Sequence, residues 1–579
     1  MRQAPCAAGR SLEAVFDSGR TALEGSAGRA LSELRQTLEA RVSRSSQDSA
    51  CYVDLSRLHA RAGQQELAVE VLMKGLASCP PNESLYAAAV FELAQGNRTE
   101  DAISLARRAI RLFPEEQFFQ LRELLLLPVL YRTPEEIRRY RERFSEALER
   151  LDSELELATL KDRSAALAAV GRHVNFYLGY QGLNDTSVQR RYGNYVHRIL
   201  AAAYPQWTRP RQMPRASGRI RIGYISAHFR NHSVAKLFLG WLKEHNRKDF
   251  ELFSYHNGET ADRVTEEVRE ISDHFRHMPG DVEPLCEAIC ADDLHIAVFL
   301  DVRHKGMAMV SSLRLAPVQC LAWACPITSG SPNMDYYLSG AAMEPEDGAQ
   351  HYTEELVRLP GIGVCYPKPV IPRPLLRKTR HDFGLGDNRV VYLCCQSIFK
   401  YLPQHDHLFA EIAKRTPVAQ FVFLTMNSMV GGDLESRLWP VFAAEGLDAE
   451  DYCVVLPQLN TFDYWNLNVL ADVFLDSLEW SGGVTTLEAI ACGLPVVTLP
   501  GRFMRGRHSF GILSQLGVTD TVARDKTEYV DLAVRLGHDR AWRARLVQQM
   551  GGNVSRLFSE RSCVAALEDF YRDTVAGRV

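Results

Sequence analysis

Residues 474–501 read FLDSLEWSGGVTTLEAIACGLPVVTLPG: an apolar opening, a polar break at Ser481–Thr486 and an apolar close. The opening predicts a strand ending in VFLD, and PVVTLP predicts the next one. Between them Thr485–Cys492 predicts a short helix ended by Gly493. Strand, helix and strand in so short a span form the repeating unit of a parallel sheet. The N-terminus of such a helix carries unpaired backbone N–H groups and the positive end of its dipole, which together attract anions. Gly482 and Gly483 let the chain turn sharply and let a ligand reach the backbone. Thr485 and Thr486 offer hydroxyls to phosphate oxygens, and Glu488, a turn further on, is placed to accept from ribose hydroxyls. A capping box, threonine followed by an acid three residues on, accounts for the same letters structurally. A motif this short leaves both readings open.

The same alternation recurs on either side. From Arg219, RIRIGYIS reads as a buried strand, and HFRNHSVAKLFLGWLKEH as a loop running into a helix. FELFSYH, HIAVFLD and VQCLAWA read as further strands. A charged helix reaching about Phe275, a helix in PLCEAICADDL and one near Ala308–Leu313 separate them. Four prolines in eight residues from Pro367 then mark a linker. Beyond it VVYLCC, QFVFLT, YCVVLP and VFLD restart the pattern, with helices around His405–Lys414 and Tyr464–Leu470. Ligands of such sheets bind outside the C-terminal ends of the strands. The loops after YIS, LCC, VLP and FLD, facing a cleft between two halves, are therefore where chemistry is expected.

From Cys51 to about Pro205 the sequence reads as helix, with an internal repeat. Ala68 matches Ala102, Gly75 matches Ala109 and Pro80 matches Pro114, each pair 34 residues apart. Small residues where two helices touch and a proline after the second give the tetratricopeptide pattern. Flanking helices at about Leu31–Val42 and Phe118–Leu151 are expected to complete the stack, because two repeats are too few to stand alone. The expected fold is α + α/β: an N-terminal segment 1–48, helical repeats and connecting helices over 49–205, a Rossmann-like lobe over 219–365, a linker over 366–388 and a second lobe with closing helices over 389–579.

A net charge of −4 argues against nucleic acid as the main partner. No run approaches the ~18 apolar residues of a membrane span, and the first 25 residues lack the apolar core of a secretory signal. The 13 cysteines show no C-x-x-C pair. Cys325, Cys394, Cys395, Cys453 and Cys492 fall in apolar stretches, where a reduced thiol serves as a small core residue. A reducing, cytoplasmic location is expected.

LDSLEWSGGVTTLEAIACGLPVVTLPG, LCCQSIFKYLPQHD, GYISAHFRNHS and LAPVQCLAWACPITSGSPNMDYYLSG together resemble the catalytic region of the SPINDLY-like protein O-GlcNAc transferases, glycosyltransferase family 41. Tetratricopeptide repeats in front are that family's usual architecture. The resemblance implies an inverting, metal-independent glycosyltransferase of the GT-B fold, with no cofactor. A UDP-sugar, N-acetylglucosamine by preference, is held mainly by the C-terminal lobe, and protein Ser/Thr acceptors bind partly through the repeats. Residue by residue, it implies that Lys400 holds the donor diphosphate and stabilises charge on the leaving UDP, with Gln396 or Ser397 beside the donor. It puts Thr485 and Thr486 on the diphosphate, with Gly482 and Gly483 before them, Glu488 on the ribose and Tyr464 on the uracil. His232 is implied to orient the acceptor or relay its proton, and Arg507 to support the donor. The segment PITSG, Pro326–Gly330 with Thr328 inside it, is placed to supply backbone N–H groups near the sugar.

The sequence departs from the family pattern at three points. His228 stands where many relatives have aspartate, and FLDVRHKG lacks the glycine before its histidine, leaving Arg303 or His304 in the histidine's role. Val484 precedes the threonines where relatives often have Asn, His or Thr. These changes bear on acceptor handling and sugar identity. Two alternatives therefore stand beside the main reading. One keeps the fold with another sugar or acceptor (O-fucose, N-glucose, a non-protein acceptor). The other is a repeat-based interaction protein with inactive lobes.

Overall fold

The computed structural model describes residues 26–44, 47–215, 218–280, 282–303 and 306–577. The first 25 residues of the expected N-terminal segment, and His304, lie outside the described residues.

The helical part begins with the helix Ser26–Arg44 and two hairpins, Ser49–Arg61 with Gln65–Ser78 and Glu83–Gln95 with Thr99–Leu112. The two hairpins are in register with the 34-residue period read from the sequence. Ala68, Ala102 and Ala109 are fully buried. At Gly75 an added Cβ would lie 2.8 Å from Cγ of Tyr52, so the helices cross where no side chain fits. Leu72, with no exposed surface, is typical of the core these crossings make. Burying such a side chain contributes about 1.5–3 kcal/mol. The expected helix Phe118–Leu151 is instead two, Gln117–Leu125 and Pro134–Ser153. Pro128 lies in the break, and Thr133 caps the second helix by accepting from the Glu136 N–H. Leu160–Gly171 and Thr186–Ala203 complete the helical part.

The first sheet is wholly parallel: β1 (Ile220–Ser226), β2 (Phe250–His256), β3 (His274–His277), β4 (Ile296–Phe299), β5 (Val318–Ala322), β6 (Tyr336–Gly340) and β7 (Glu355–Leu359), in the order β3-β2-β1-β4-β5-β6-β7. The sequence reading missed three of these. Phe275, expected at the end of a charged helix, is in β3, which starts soon after the helix Arg263–Ile271 ends. Strand β7, at the sheet's edge, carries exposed polar residues, and the inner, buried β6 (YYLSG) has only a short apolar run closed by Ser339 and Gly340. The second sheet is β8 (Val390–Ser397), β9 (Ala419–Thr425), β10 (Cys453–Pro457), β11 (Val473–Leu475) and β12 (Val496–Val497), also parallel, in the order β10-β9-β8-β11-β12. The strand read from PVVTLP pairs over two residues only.

One hydrophobic core runs without interruption from Tyr52 in the hairpins to Val575 in the last helix. The closing helix Ser562–Ala576 returns to the first lobe, where Glu568 accepts from the Asn246 N–H at 2.7 Å and pairs with His245 at 3.0 Å. The helical part docks on the helix Ser428–Ala444 of the second lobe. There Asn97 donates to Asp433 at 2.8 Å, and Arg437, salt-bridged to Asp406 at 2.7 Å, donates to the Tyr131 carbonyl at 2.8 Å. Among the described residues no helix is long and apolar enough to cross a membrane.

Candidate functional site

The C-terminal ends of β8 and β11 meet at one point, and hydrogen bonds tie them together. The β8 ladder slips register between Cys394 and Ser397, and a single turn, Ile398–Lys400, follows. Lys400 Nζ donates to Gln396 Oε1 at 2.8 Å, and Gln396 Nε2 donates to Thr485 Oγ1 at 2.6 Å. A cation is thereby held beside the start of the helix Val484–Cys492. Burial is the main cause of a fall in the Lys400 pKa to about 8; the nearby Arg303 adds to it, and Asp476 opposes it. Ser397 is half-buried at the same strand end.

Asp476, at the end of β11, shapes the loop ahead of the helix. Buried, it accepts from Ser481 Oγ at 2.5 Å, from the Gly482 N–H at 2.8 Å and from Thr498 Oγ1 at 2.8 Å. Burial raises its pKa, and these bonds hold it down. The two glycines do different work. A Cβ on Gly482 would lie 2.5 Å from Thr486 Oγ1 and 2.7 Å from both Gln396 Nε2 and Thr485 Oγ1, so nothing larger fits. A Cβ on Gly483 would meet nothing closer than 3.8 Å. Gly483 is the N-cap, and no side chain caps the helix. The capping box that Thr485 and Glu488 suggested is therefore not formed: Thr485 lies inside the helix, and the first N–H groups are left without a side-chain acceptor.

Thr485 is half-buried beside Gln396. Thr486 has no exposed surface, and its hydroxyl is bonded to Ser509 Oγ at 2.7 Å, so it braces the loop from behind. Glu488 is 5% exposed and accepts from Lys236 Nζ, across the cleft, at 2.7 Å. Burial raises its pKa against the pull of Lys236. Tyr464, from the helix Thr461–Leu470, puts its hydroxyl 3.8 Å from Cys395 Sγ, close enough to Glu488 to help hold the charged form. Arg507 is spent on carbonyls, donating to Met343 at 3.1 Å and Gly501 at 3.3 Å. His508, buried with its pKa down at about 3, stands 3.2 Å from the Ser481 carbonyl.

In the first lobe His232 is the N-cap of the helix Ser233–Glu244, with Nδ1 accepting from the Val234 N–H at 3.2 Å. Its ring stacks on His228, centroids 3.9 Å apart. An accepting Nδ1 puts the proton of a neutral ring on Nε2, so His232 offers a donor there. At the ends of β1 and β4, buried Asp301 accepts from Ser226 Oγ and from the Ala227 N–H. Arg303 donates to the Phe176 carbonyl and lies 4.3 Å over the Phe176 ring, 5.2 Å over Tyr180 and 5.6 Å over Trp480. Pro326 is buried, and Thr328 Oγ1 is committed to Glu354 Oε2 at 2.6 Å. The PITSG loop closes against the helical part: a Cβ on Gly193 would lie 2.1 Å from the Gly330 carbonyl oxygen. Between these parts lies a cavity of about 60 Å³, lined among others by Asn175, Gln189, Tyr192, Arg303 and Cys325.

The structure thus brings Gln396, Lys400, Gly482, Thr485, Tyr464 and Glu488 to one place and sets His232 on the helix opposite. It turns Thr486, Arg507 and Thr328 to internal bonds. Sequence reading missed Lys236, Asp476 and the aromatic wall of Tyr180, Phe399 and Trp480, in which Tyr180 stacks on Trp480 at 3.9 Å and meets Phe399 at 4.5 Å. Asp476 was legible as the last residue of VFLD, an acid closing a strand beside a polar loop. Lys236 and Tyr180 come from distant segments with no local signal. Among the described residues no group of three or more His, Cys, Asp or Glu stands where it could hold a metal ion.

The family model described as Glycosyl transferase family 41 matches residues 162–362 and 368–567. The chain is 26% identical over 348 residues to the probable UDP-N-acetylglucosamine–peptide N-acetylglucosaminyltransferase SPINDLY of Solanum lycopersicum, covering 58% of this chain and 36% of that protein. It is 26% identical over 407 residues to the SEC protein of the same description in Arabidopsis thaliana, covering 66% of this chain and 40% of that one. The chain thus spans well under half the length of these relatives. A mutant of the Thermobaculum terrenum O-GlcNAc transferase superposes over 100% of this chain and 99% of its own, with a TM-score of 0.67 and 23% identity, and so shares the fold. Matched to the family model over well more than half its residues, the chain belongs to glycosyl transferase family 41.

Proposed function

We propose that the chain transfers N-acetylglucosamine from UDP-N-acetylglucosamine to serine or threonine hydroxyls of proteins, with inversion and without a metal. One observation carries this reading. Lys400, Gln396 and Thr485 form a hydrogen-bonded row at a helix N-terminus without a side-chain cap, one turn from the Glu488 carboxylate. That row suits a nucleoside diphosphate: N–H groups, a hydroxyl and a cation for the phosphates, and a carboxylate for the ribose. The acceptor oxygen attacks the anomeric carbon from the side away from the phosphate, and its hydroxyl proton is taken up by a phosphate oxygen of UDP. The bond to the β-phosphate oxygen breaks, and its electron pair leaves with UDP. Lys400 and the helix N-terminus stabilise the charge that grows there. His232, donating through Nε2, orients the acceptor. Gln396 keeps Lys400 placed, Tyr464 flanks the uracil, and Arg507 supports the loop after β12 through its carbonyl bonds.

The helical hairpins serve as the docking surface for protein acceptors, as stacked repeats commonly do. The working division is repeats over 49–205, an acceptor lobe over 219–365, a linker over 366–388 and a donor lobe over 389–579. Cys325, Cys394, Cys395, Cys453 and Cys492 are buried as small core residues, and the sequence has no C-x-x-C pair, which supports a reducing compartment such as the cytoplasm.

Incubation with UDP-N-acetylglucosamine and a peptide library, read by mass spectrometry, tests the reaction. Lys400→Ala is expected to lower kcat by about 10²–10³. Wild-type chain that binds no UDP would refute the reading, and modification only with another nucleotide-sugar would move it to another donor.

A further inference from the structure

The donor helix Val484–Cys492 is met by a cation that no motif of the second lobe supplies. Lys236 lies in the first turn or so of the helix Ser233–Glu244, four residues after His232, so both side chains share one face of that helix. Its Nζ donates to Glu488 Oε1 at 2.7 Å across the cleft. A lysine there opposes the helix dipole, and holding its long chain in one geometry costs side-chain entropy. An exposed ion pair would return little for that. Glu488, however, is 5% exposed, and burial pushes its carboxyl toward the neutral form. Lys236 offsets that cost and balances the carboxylate's charge.

Glu488 stands one turn inside the helix whose N-terminus, with Lys400, forms the anion site. A bare carboxylate so close would repel a diphosphate. A carboxylate paired with a lysine still accepts from a ribose hydroxyl, since one oxygen can serve each partner, and the repulsion is largely cancelled. We propose that Lys236 is a positioning residue of the donor site, the charge partner that lets the Glu488 carboxylate stand beside a nucleoside diphosphate. This rests on the donor-site reading above. The first lobe thereby contributes to holding the donor as well as the acceptor, so donor affinity depends on the lobes being closed on one another.

Equilibrium binding of UDP and of uridine to the full chain tests the assignment, because uridine keeps the ribose and lacks the phosphates. Lys236→Met is expected to weaken UDP about tenfold or more and uridine by less than about threefold. Lys236→Arg keeps the charge and is expected to keep UDP affinity. Adding Glu488→Gln to Lys236→Met removes the unpaired carboxylate and is expected to restore most of the lost UDP affinity, a coupling that a merely lobe-holding lysine would not show. Unchanged UDP affinity in Lys236→Met overturns the proposal. So does an equal loss of UDP and uridine that Glu488→Gln does not rescue. Failure of the wild-type chain to bind UDP would overturn the donor-site reading, and this proposal with it.

Discussion

In the proposed donor site, Lys400 sets a pH limit on UDP binding. Burial brings its pKa down to about 8, so the ligand-free chain loses this proton as the pH rises through that value. A diphosphate bound beside the amine favours the charged form and holds the proton to higher pH. Binding above pH 8 therefore takes up a proton, and affinity falls as pH rises. At pH 9 about one ligand-free molecule in eleven keeps the proton, so UDP affinity should be roughly tenfold below its plateau at pH 7, or about 1.4 kcal/mol. The stability term has a related sign. Below pH 8 the folded chain bears the full cost of a buried ammonium, and that cost is relieved between about 8 and the ordinary lysine value of 10.5. Lys400→Met should accordingly stabilise the fold more at pH 7 than at pH 9.5. The assay is titration calorimetry with UDP from pH 6.5 to 9.5 in buffers of different ionisation enthalpy. Lys400→Arg, charged throughout, is the reference. Titration of the nucleotide itself appears in both profiles and cancels. Parallel profiles for wild type and Lys400→Arg would refute the assignment of the titrating group.

Four further outcomes follow from the geometry. Gly482→Ala forces a methyl to 2.5 Å from Thr486 Oγ1 and should cost about 1–3 kcal/mol on thermal unfolding. Gly483→Ala meets nothing closer than 3.8 Å, and should leave stability within about 1 kcal/mol while weakening UDP; unchanged UDP affinity would place the phosphates elsewhere. His232→Ala loses the helix cap, about 0.5–2 kcal/mol, whereas His232→Asn keeps it. Both should lose turnover alike, and recovery of activity in the asparagine variant would reduce His232 to a cap. Trp480→Ala removes the stack on Tyr180 and should cost about 3–5 kcal/mol, with faster amide exchange over residues 176–181 as the check.

The parallel sheets were legible because their central strands, such as VVYLCC and FELFSYH, are buried on both faces and read as continuous apolar runs. The edge strands β3 and β7 were not, since half-exposed strands carry letters that suit a helix or a loop equally well, and the inner strand β6 (YYLSG) has too short an apolar run to stand out. At the site, residues whose role depends on their own strand end could be read from the sequence: Lys400, Gln396 and the glycine–threonine loop. Those whose role depends on which distant segment packs against them could not be. Thr485 and Thr486 are adjacent and chemically identical, yet one faces Gln396 and the other Ser509. Arg507 looked like a phosphate ligand and is held by two carbonyls that its own sequence neighbourhood does not specify.

The helical part is joined to the chemistry more closely than a docking platform needs to be. Phe399 and Trp480 each immediately precede a donor-site element, Lys400 in one case and the Ser481–Gly483 loop in the other. Tyr180 packs on both rings, at 4.5 and 3.9 Å, and Arg303 of the first lobe closes over Tyr180 and Trp480. A short turn, Leu178–Gln181, is thus wedged behind the donor loops of one lobe and under an arginine of the other. Electrostatic stabilisation of a leaving group works only when the stabilising groups are fixed before charge develops. The loop side chains alone do not fix them: Lys400 donates to a neutral amide oxygen, that of Gln396, a single restraint on a long side chain. Aromatic packing on Phe399 adds to that restraint, and it comes from Phe176, Tyr177 and Tyr180 of the helical part. Helical part and lobes therefore pack as one body, in which the segment joining them forms part of the wall of the proposed donor site.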